Sequence, residues 1–183
     1  MKLNRLRVLA ASALMTGFLA LQPGASAQAA DAPKLLGKFD DWAAYTYGSG
    51  NDRICYVLSE PKTMLPKGAT RGDVYFMVTH RPGRGIKNEI SMRVGYVFGA
   101  TSKPFATIDK DRYQMFSGVP QGGEHQFWAW LENTREEAKM VKSLRAGSTM
   151  VIKGTSARKT LTTDTYSLKG TSAALDRIDT ACR

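Results

Sequence analysis

Residues 90–98 read ISMRVGYVF. Ile90, Met92, Val94, Tyr96 and Phe98 alternate with Ser91, Arg93, Gly95 and Val97. A period of two is the signature of a strand with one buried face. The neighbouring text repeats the theme in shorter pieces. Val74 to Thr79 is apolar on both faces, as a central strand is. Ile54 to Ser59 reads as another strand, stopped by Pro61, and Asp41 to Tyr47 as an earlier one. Pro104 to Ile108 and Arg112 to Phe116 flank Asp109-Lys110-Asp111 as a hairpin. His125 to Leu131 holds Phe127, Trp128 and Trp130 and reads as a strand with two apolar faces, which assigns its rings to the core. Many short strands divided by turn residues predict a mainly β fold, an antiparallel β-sandwich-like single domain over residues 39–183.

Two short helices interrupt the strands. Thr134-Arg135-Glu136-Glu137 fits a capping box, with Thr134 as N-cap and Glu137 at N3. Ala138, Val141 and Leu144 then share one face, opposite a solvated face of Arg135, Lys139 and Lys142, and Gly147 ends the helix. The last helix starts near Ser172, with Thr171 or Ser172 as N-cap. It places Leu175, Ile178 and Cys182 on one side.

The first 27 residues stand apart. Lys2, Arg5 and Arg7 precede a 14-residue run without charge, Val8 to Leu21, and then Ala25-Ser26-Ala27. A basic start, a short apolar core and an A-x-A site make a secretory signal peptide. The run is too short for the roughly 20 residues that span a bilayer, so no transmembrane segment is expected in the mature chain. Cleavage falls after Ala27 or after Ala29, and residues 28–38 form a flexible lead-in. Loss of the three basic residues takes the net charge from +10 to +7. A basic exported protein meets anionic lipid headgroups, envelope polysaccharide and host glycans. Cys55 and Cys182 are the sole cysteines, and in an oxidising compartment a disulfide between them is the expectation.

KGTSA occurs twice, at 153–157 and 169–173. A P-loop needs two glycines five positions apart before Lys-Ser/Thr, and Gly154 stands alone. A nucleophile elbow, G-x-S-x-G, fails where Arg158 replaces the second glycine. A trio of Ser156, His125 and Asp164, with His80 as the other available base, keeps a small serine-dependent hydrolase open as the alternative. Two distant histidines leave no ligand cluster with zinc spacing, so neither metal nor cofactor is expected. The architectural reading takes each KGTSA as a strand exit. The first leaves a strand over 149–152 and opens a loop through Leu161. The second leaves a strand over 162–168, with Tyr166 and Leu168 inward, and leads into the last helix. Gly154 and Gly170 supply backbone angles barred to other residues.

Several motifs then coincide. They are F-x-D-W (39–42), C-Y-x-x-S-x-P (55–61), N-E-I-S (88–91) followed by Gly95-Tyr96, K-G-T-S-A-R (153–158), T-D-T-Y-S-L-K-G (163–170) and a terminal Ala181-Cys182. Together they resemble the invasion-associated locus B family across essentially the whole mature chain. The resemblance implies an exported protein of Gram-negative bacteria with a compact β-sandwich-like domain. It transfers no catalytic residue. Its name comes from members linked to bacterial entry into host cells. The family pattern has glycine after the arginine of K-G-T-S-A-R, where this chain has Lys159.

The reading that follows is a non-enzymatic periplasmic or envelope-associated protein that binds an anionic envelope or host-surface component. Its candidate contacts are Arg81, Arg84 and Lys87 in THRPGRGIKNE (79–89) and Arg158 and Lys159 at a hairpin tip. Nucleic acid is not expected as its main partner, because export and core-forming aromatics argue against a basic stacking platform.

Overall fold

The computed structural model describes residues 32–183; the signal peptide and its cleavage site lie outside them. Eleven strands occur in chain order. They are β1 (Lys34–Phe39), β2 (Trp42–Tyr47), β3 (Ile54–Ser59), β4 (Thr63–Leu65), β5 (Val74–Arg81), β6 (Ile86–Val94), β7 (Phe105–Ile108), β8 (Asp111–Ser117), β9 (Trp128–Leu131), β10 (Thr149–Thr155) and β11 (Leu161–Ser167). Two α-helices join them, α1 (Glu137–Ala146) and α2 (Thr171–Ala181). All strand pairs are antiparallel, in the order β1-β2-β3-β5-β6-β9-β8-β7-β10-β11-β4.

The sheet rolls so that its two wings face each other, and β8 belongs to both. Trp42 on β2 meets Phe76 on β5 edge-on, and Phe76 meets Tyr166 on β11. The Trp42 indole N–H donates to the Ser167 carbonyl at 3.0 Å. The contacts to Tyr166 and Ser167 on β11 cross the sandwich, and the rings are buried. Alternation explains the inner face: Cys55 and Val57 on β3, Phe76 and Val78 on β5, and Ile90, Met92 and Val94 on β6. α2 packs on β1, β2, β3 and β5 and closes the core, with Ala174, Leu175 and Ile178 buried. A disulfide joins Cys55 to Cys182, just past the end of α2.

Several elements differ from the sequence reading. Residues 34–38 belong to strand β1 rather than to a lead-in, because β2 supplies backbone partners from Lys34↔Thr46 to Phe39↔Trp42, with a bulge between Leu35 and Gly37. β6 stops at Val94, and the chain crosses toward the other wing, where Phe98 bridges Ser156. The cap before α1 is Asn133, whose side chain accepts the Arg135 N–H at 3.2 Å and opens a 3-10 turn over Thr134–Glu136. The buried stripe of α1 is therefore Met140, Val141 and Leu144, and Ala138 is exposed.

The two KGTSA segments differ from each other. Lys153 to Thr155 stay in β10, paired as far as Thr155↔Leu161, and the hairpin turn is Ser156 to Thr160 alone. Gly154 has an ordinary backbone; it is glycine because an added Cβ would lie 2.8 Å from the Tyr96 hydroxyl and 2.9 Å from the Phe98 ring. Gly170 does need its angle, φ +89°, and a Cβ there would meet the Phe39 carbonyl oxygen at 1.9 Å. The Thr171 hydroxyl donates back to the Leu168 carbonyl at 2.7 Å instead of capping α2.

Lys159 occupies the left-handed region at φ +63°. A side chain there costs about 1–2 kcal/mol, partly offset by the greater chain entropy of glycine. Lys159→Gly is expected to raise stability by about 0.5–1 kcal/mol, read as a higher urea midpoint at unchanged slope. A lower midpoint would show that this turn does not hold the left-handed conformation.

The outer face of the larger wing carries aromatic residues that the sequence reading assigned to the core. Ala129 and Leu131 are the inward side of β9, so Trp128 and Trp130 point outward and are half-buried. Small Ala129 suits the packed interior and leaves the large rings to the opposite side of the pleat.

Candidate functional site

The five candidate cations fall into two separate groups. Arg81, Arg84 and Lys87 surround the tight β5–β6 connection, where Pro82–Arg84 form a 3-10 turn. Arg158 and Lys159 sit in the β10–β11 turn, whose Ala157 N–H donates to the Val97 carbonyl at 2.8 Å, beyond the other end of β6. A strand rises about 3.3 Å per residue, so nine-residue β6 separates the groups by roughly 25–30 Å.

The first group is largely neutralised. Arg81 pairs with Glu89 at 3.2 Å, and Lys87 with Asp179 at 3.2 Å. Asp179 also receives Arg145 Nη2 at 3.0 Å and His80 Nε2 at 3.2 Å. Burial pushes the Asp179 carboxyl up, but Lys87 and His80 beside it outweigh burial and hold it below the ordinary carboxylate range. His80 is buried, and its Nδ1 accepts the Asn88 backbone N–H at 3.1 Å. That bond assigns the ring proton to Nε2, facing Asp179. The arrangement ties the β5–β6 hairpin to α2 and offers no spare charge except at Arg84, which makes no ion pair among the described residues.

Arg158 of the second group opens onto a cleft, with Lys159 next to it in the turn. Residues 66–71 and the β10–β11 turn enclose about 390 Å³. Arg71 lines the floor of the cleft and forms a buried ion pair with Asp164 behind it: Arg71 Nη1 to Asp164 Oδ1 at 2.5 Å and Nη2 to Oδ2 at 2.7 Å, with side chains 5% and 1% exposed. Arg71 also donates twice to the Val94 carbonyl, at 3.0 and 2.7 Å, and its guanidinium lies 5.1 Å from the Tyr96 ring centre. Thr162 donates to the Gly154 carbonyl at 3.2 Å, so the Tyr96 hydroxyl donates to Thr162 at 2.7 Å. Burial, with the Asp164 charge next, pushes the neighbouring Tyr166 phenol far above its usual range. The floor is thus internally satisfied. At the rim, Lys67 and Arg158 are exposed and make no ion pair among the described residues. Sequence reasoning missed Lys67 and Arg71. Their setting, PKGATRGD (66–73), is a Gly-containing basic loop much like THRPGRG. The partner that distinguishes Arg71 lies 93 residues away.

The hydrolase trio is not assembled. Ser156 lies in this cleft, but its Oγ accepts the Thr160 N–H at 3.2 Å, and no histidine lines the space around it. Asp164 is committed to Arg71, and His80 to Asp179 and Asn88. His125 borders a groove on the outer sheet face with Glu124 and Trp130. Among the described residues no group of three or more His, Cys, Asp or Glu side chains is placed to hold a metal ion, and no helix is long and apolar enough to cross a membrane.

The sequence profile of the family described as Invasion associated locus B (IalB) protein matches residues 48–179. No curated protein sequence matches the chain. Among solved structures, the crystal structure of invasion associated protein b from Bartonella henselae is similar in fold. Its TM-score is 0.55 at 14% identity, over 79% of this chain and 96% of that one.

Proposed function

The chain belongs to the invasion associated locus B family, and from that premise we propose that it works as a non-enzymatic binding protein of the bacterial cell envelope. Its partner is an anionic envelope or host-surface component, docked at the cleft between residues 66–71 and the β10–β11 turn. One observation carries this reading. Lys67 and Arg158 stand unpaired, among the described residues, at the mouth of a cleft with no carboxylate in its lining, where Arg71 is already matched by buried Asp164 behind it. A site with a neutral floor and a cationic rim attracts negative charge without burying an uncompensated ion. The basic, uncharged and A-x-A segments of residues 1–27 and the disulfide support export to the periplasm or cell envelope.

The split of the cations gives the test its control. On immobilised dextran sulfate, Lys67→Ala/Arg158→Ala/Lys159→Ala is expected to elute at clearly lower salt than wild type. Arg81→Ala/Arg84→Ala/Lys87→Ala removes the same nominal charge and should shift much less, because two of its three cations already face carboxylates. Equal shifts would assign retention to overall charge and remove the cleft from the reading.

A further inference from the structure

A second surface uses none of these cations at the cleft. The register places Met77, Ser91, Trp130 and Phe116 side by side on the outward face of β5, β6, β9 and β8. Tyr75, Arg93 and Trp128 form the next row. The rings of Phe116, Trp130 and Trp128 run within 25° of parallel in sequence, at centre distances of 5.6 and 6.2 Å. Ser91 leaves a notch between Met77 and Trp130. Two cavities result, one on each side of Trp130. About 240 Å³ lies over Met77 and Ser91, walled by Trp128 and Trp130, and about 420 Å³ lies between Trp130, Phe116 and Glu137. Trp130 and Glu89 line both. Ligand clefts commonly hold about 300–1,000 Å³, so each cavity suits one small ring and the pair suits a chain of them.

We infer that this outer-face groove binds a neutral oligosaccharide, with Trp130 between two subsites. Polarity selects the occupant. The groove and its walls hold three cations, Arg81, Lys87 and Arg93, and three carboxylates, Glu89, Glu124 and Glu137. Arg81 is paired with Glu89, and Arg93 with Glu124 at 3.1 Å. On a chain of net charge +10, this balance leaves nothing to draw a polyanion. The same pairs make the groove too polar for an acyl chain or the apolar face of a helix, since each would strip water from ions without replacing its hydrogen bonds. A sugar chain meets both demands. Its C–H faces cover indole and phenyl surface, and its hydroxyls both donate to carboxylates and accept from guanidinium groups. Burial, with the Glu89 charge second, raises the Glu137 carboxyl above the ordinary carboxylate range.

The test is titration of the full mature protein with neutral hexasaccharides of glucose, mannose and N-acetylglucosamine, followed by tryptophan emission and calorimetry. Trp42 is buried in the core, so a saturable emission change reports the groove. At least one sugar should bind, with affinity altered less than twofold between 50 and 500 mM salt. Trp130→Ala should weaken it at least tenfold, and Glu89→Gln, which keeps shape and packing, by three- to tenfold. No saturable response to any of the three sugars at 10 mM would overturn the assignment. So would binding that survives both substitutions, or a concentration-dependent dimer that Trp130→Ala abolishes. The dextran sulfate result does not bear on this outcome, because the cleft and the groove share no lining residue; only the control variant of that test reaches the groove, at Arg81 and Lys87, and the sugar titration does not use it.

Discussion

Cys55→Ala/Cys182→Ala protein is expected to melt roughly 15 °C below wild type, with a loss of about 5 kcal/mol. The bond spans 127 residues, nearly the whole folded domain, so its removal releases a very large loop in the unfolded chain. Cys55 is fully buried on the inner face of β3, and Cys182 follows the last turn of α2. The same link therefore holds the terminal helix over the core. Calorimetry on wild type, on the double variant and on wild type with reductant measures the loss. The reduced and substituted proteins should agree within a few degrees. A drop below about 3 °C would mean that the other contacts of α2 already restrain the chain.

Asp164→Ala is expected to cost about 3–5 kcal/mol, because it strands the Arg71 guanidinium in a site that water barely reaches. Arg71→Met/Asp164→Leu should recover most of that loss. Two apolar side chains of similar bulk need no counter-charge, and replacement of a buried pair is often neutral or better. Urea unfolding of the single and double variants gives the coupling directly. A double variant as unstable as Asp164→Ala would show that the Arg71 bonds to the Val94 carbonyl, rather than the ion pair, hold the 66–71 segment in place.

What sequence could reveal here depends on distance along the chain. The alternation at Ile90, Met92 and Val94 and the β7–β8 hairpin are local signals, and the fold obeys them. The terminal helix with Leu175 and Ile178 inward is equally local. β1 was illegible because Lys34 to Lys38 have little strand character until β2 supplies partners. The capping box at Thr134 was a sound local fit, but Asn133, one residue earlier, captured the Arg135 N–H. The outward placement of Trp128 and Trp130 needed knowledge of which side of the pleat faces the opposite wing; WAWL alone is apolar on both sides. The candidate cleft was half legible. Arg158 and Ser156 were visible as turn residues, whereas Lys67 and the Arg71–Asp164 floor depend on a contact across 93 residues.

A rolled but unclosed sheet leaves two free borders, at β1 and β4 among the described residues. Unpaired backbone at such borders invites copies of the same chain to stack strand on strand. β1 breaks its own regularity at the Leu35/Gly37 bulge and carries Lys34 and Lys38, while β4 is three residues long and runs into Pro66. Neither border is a good template for fibril growth, so the protein can accumulate at high local density without polymerising through its edges.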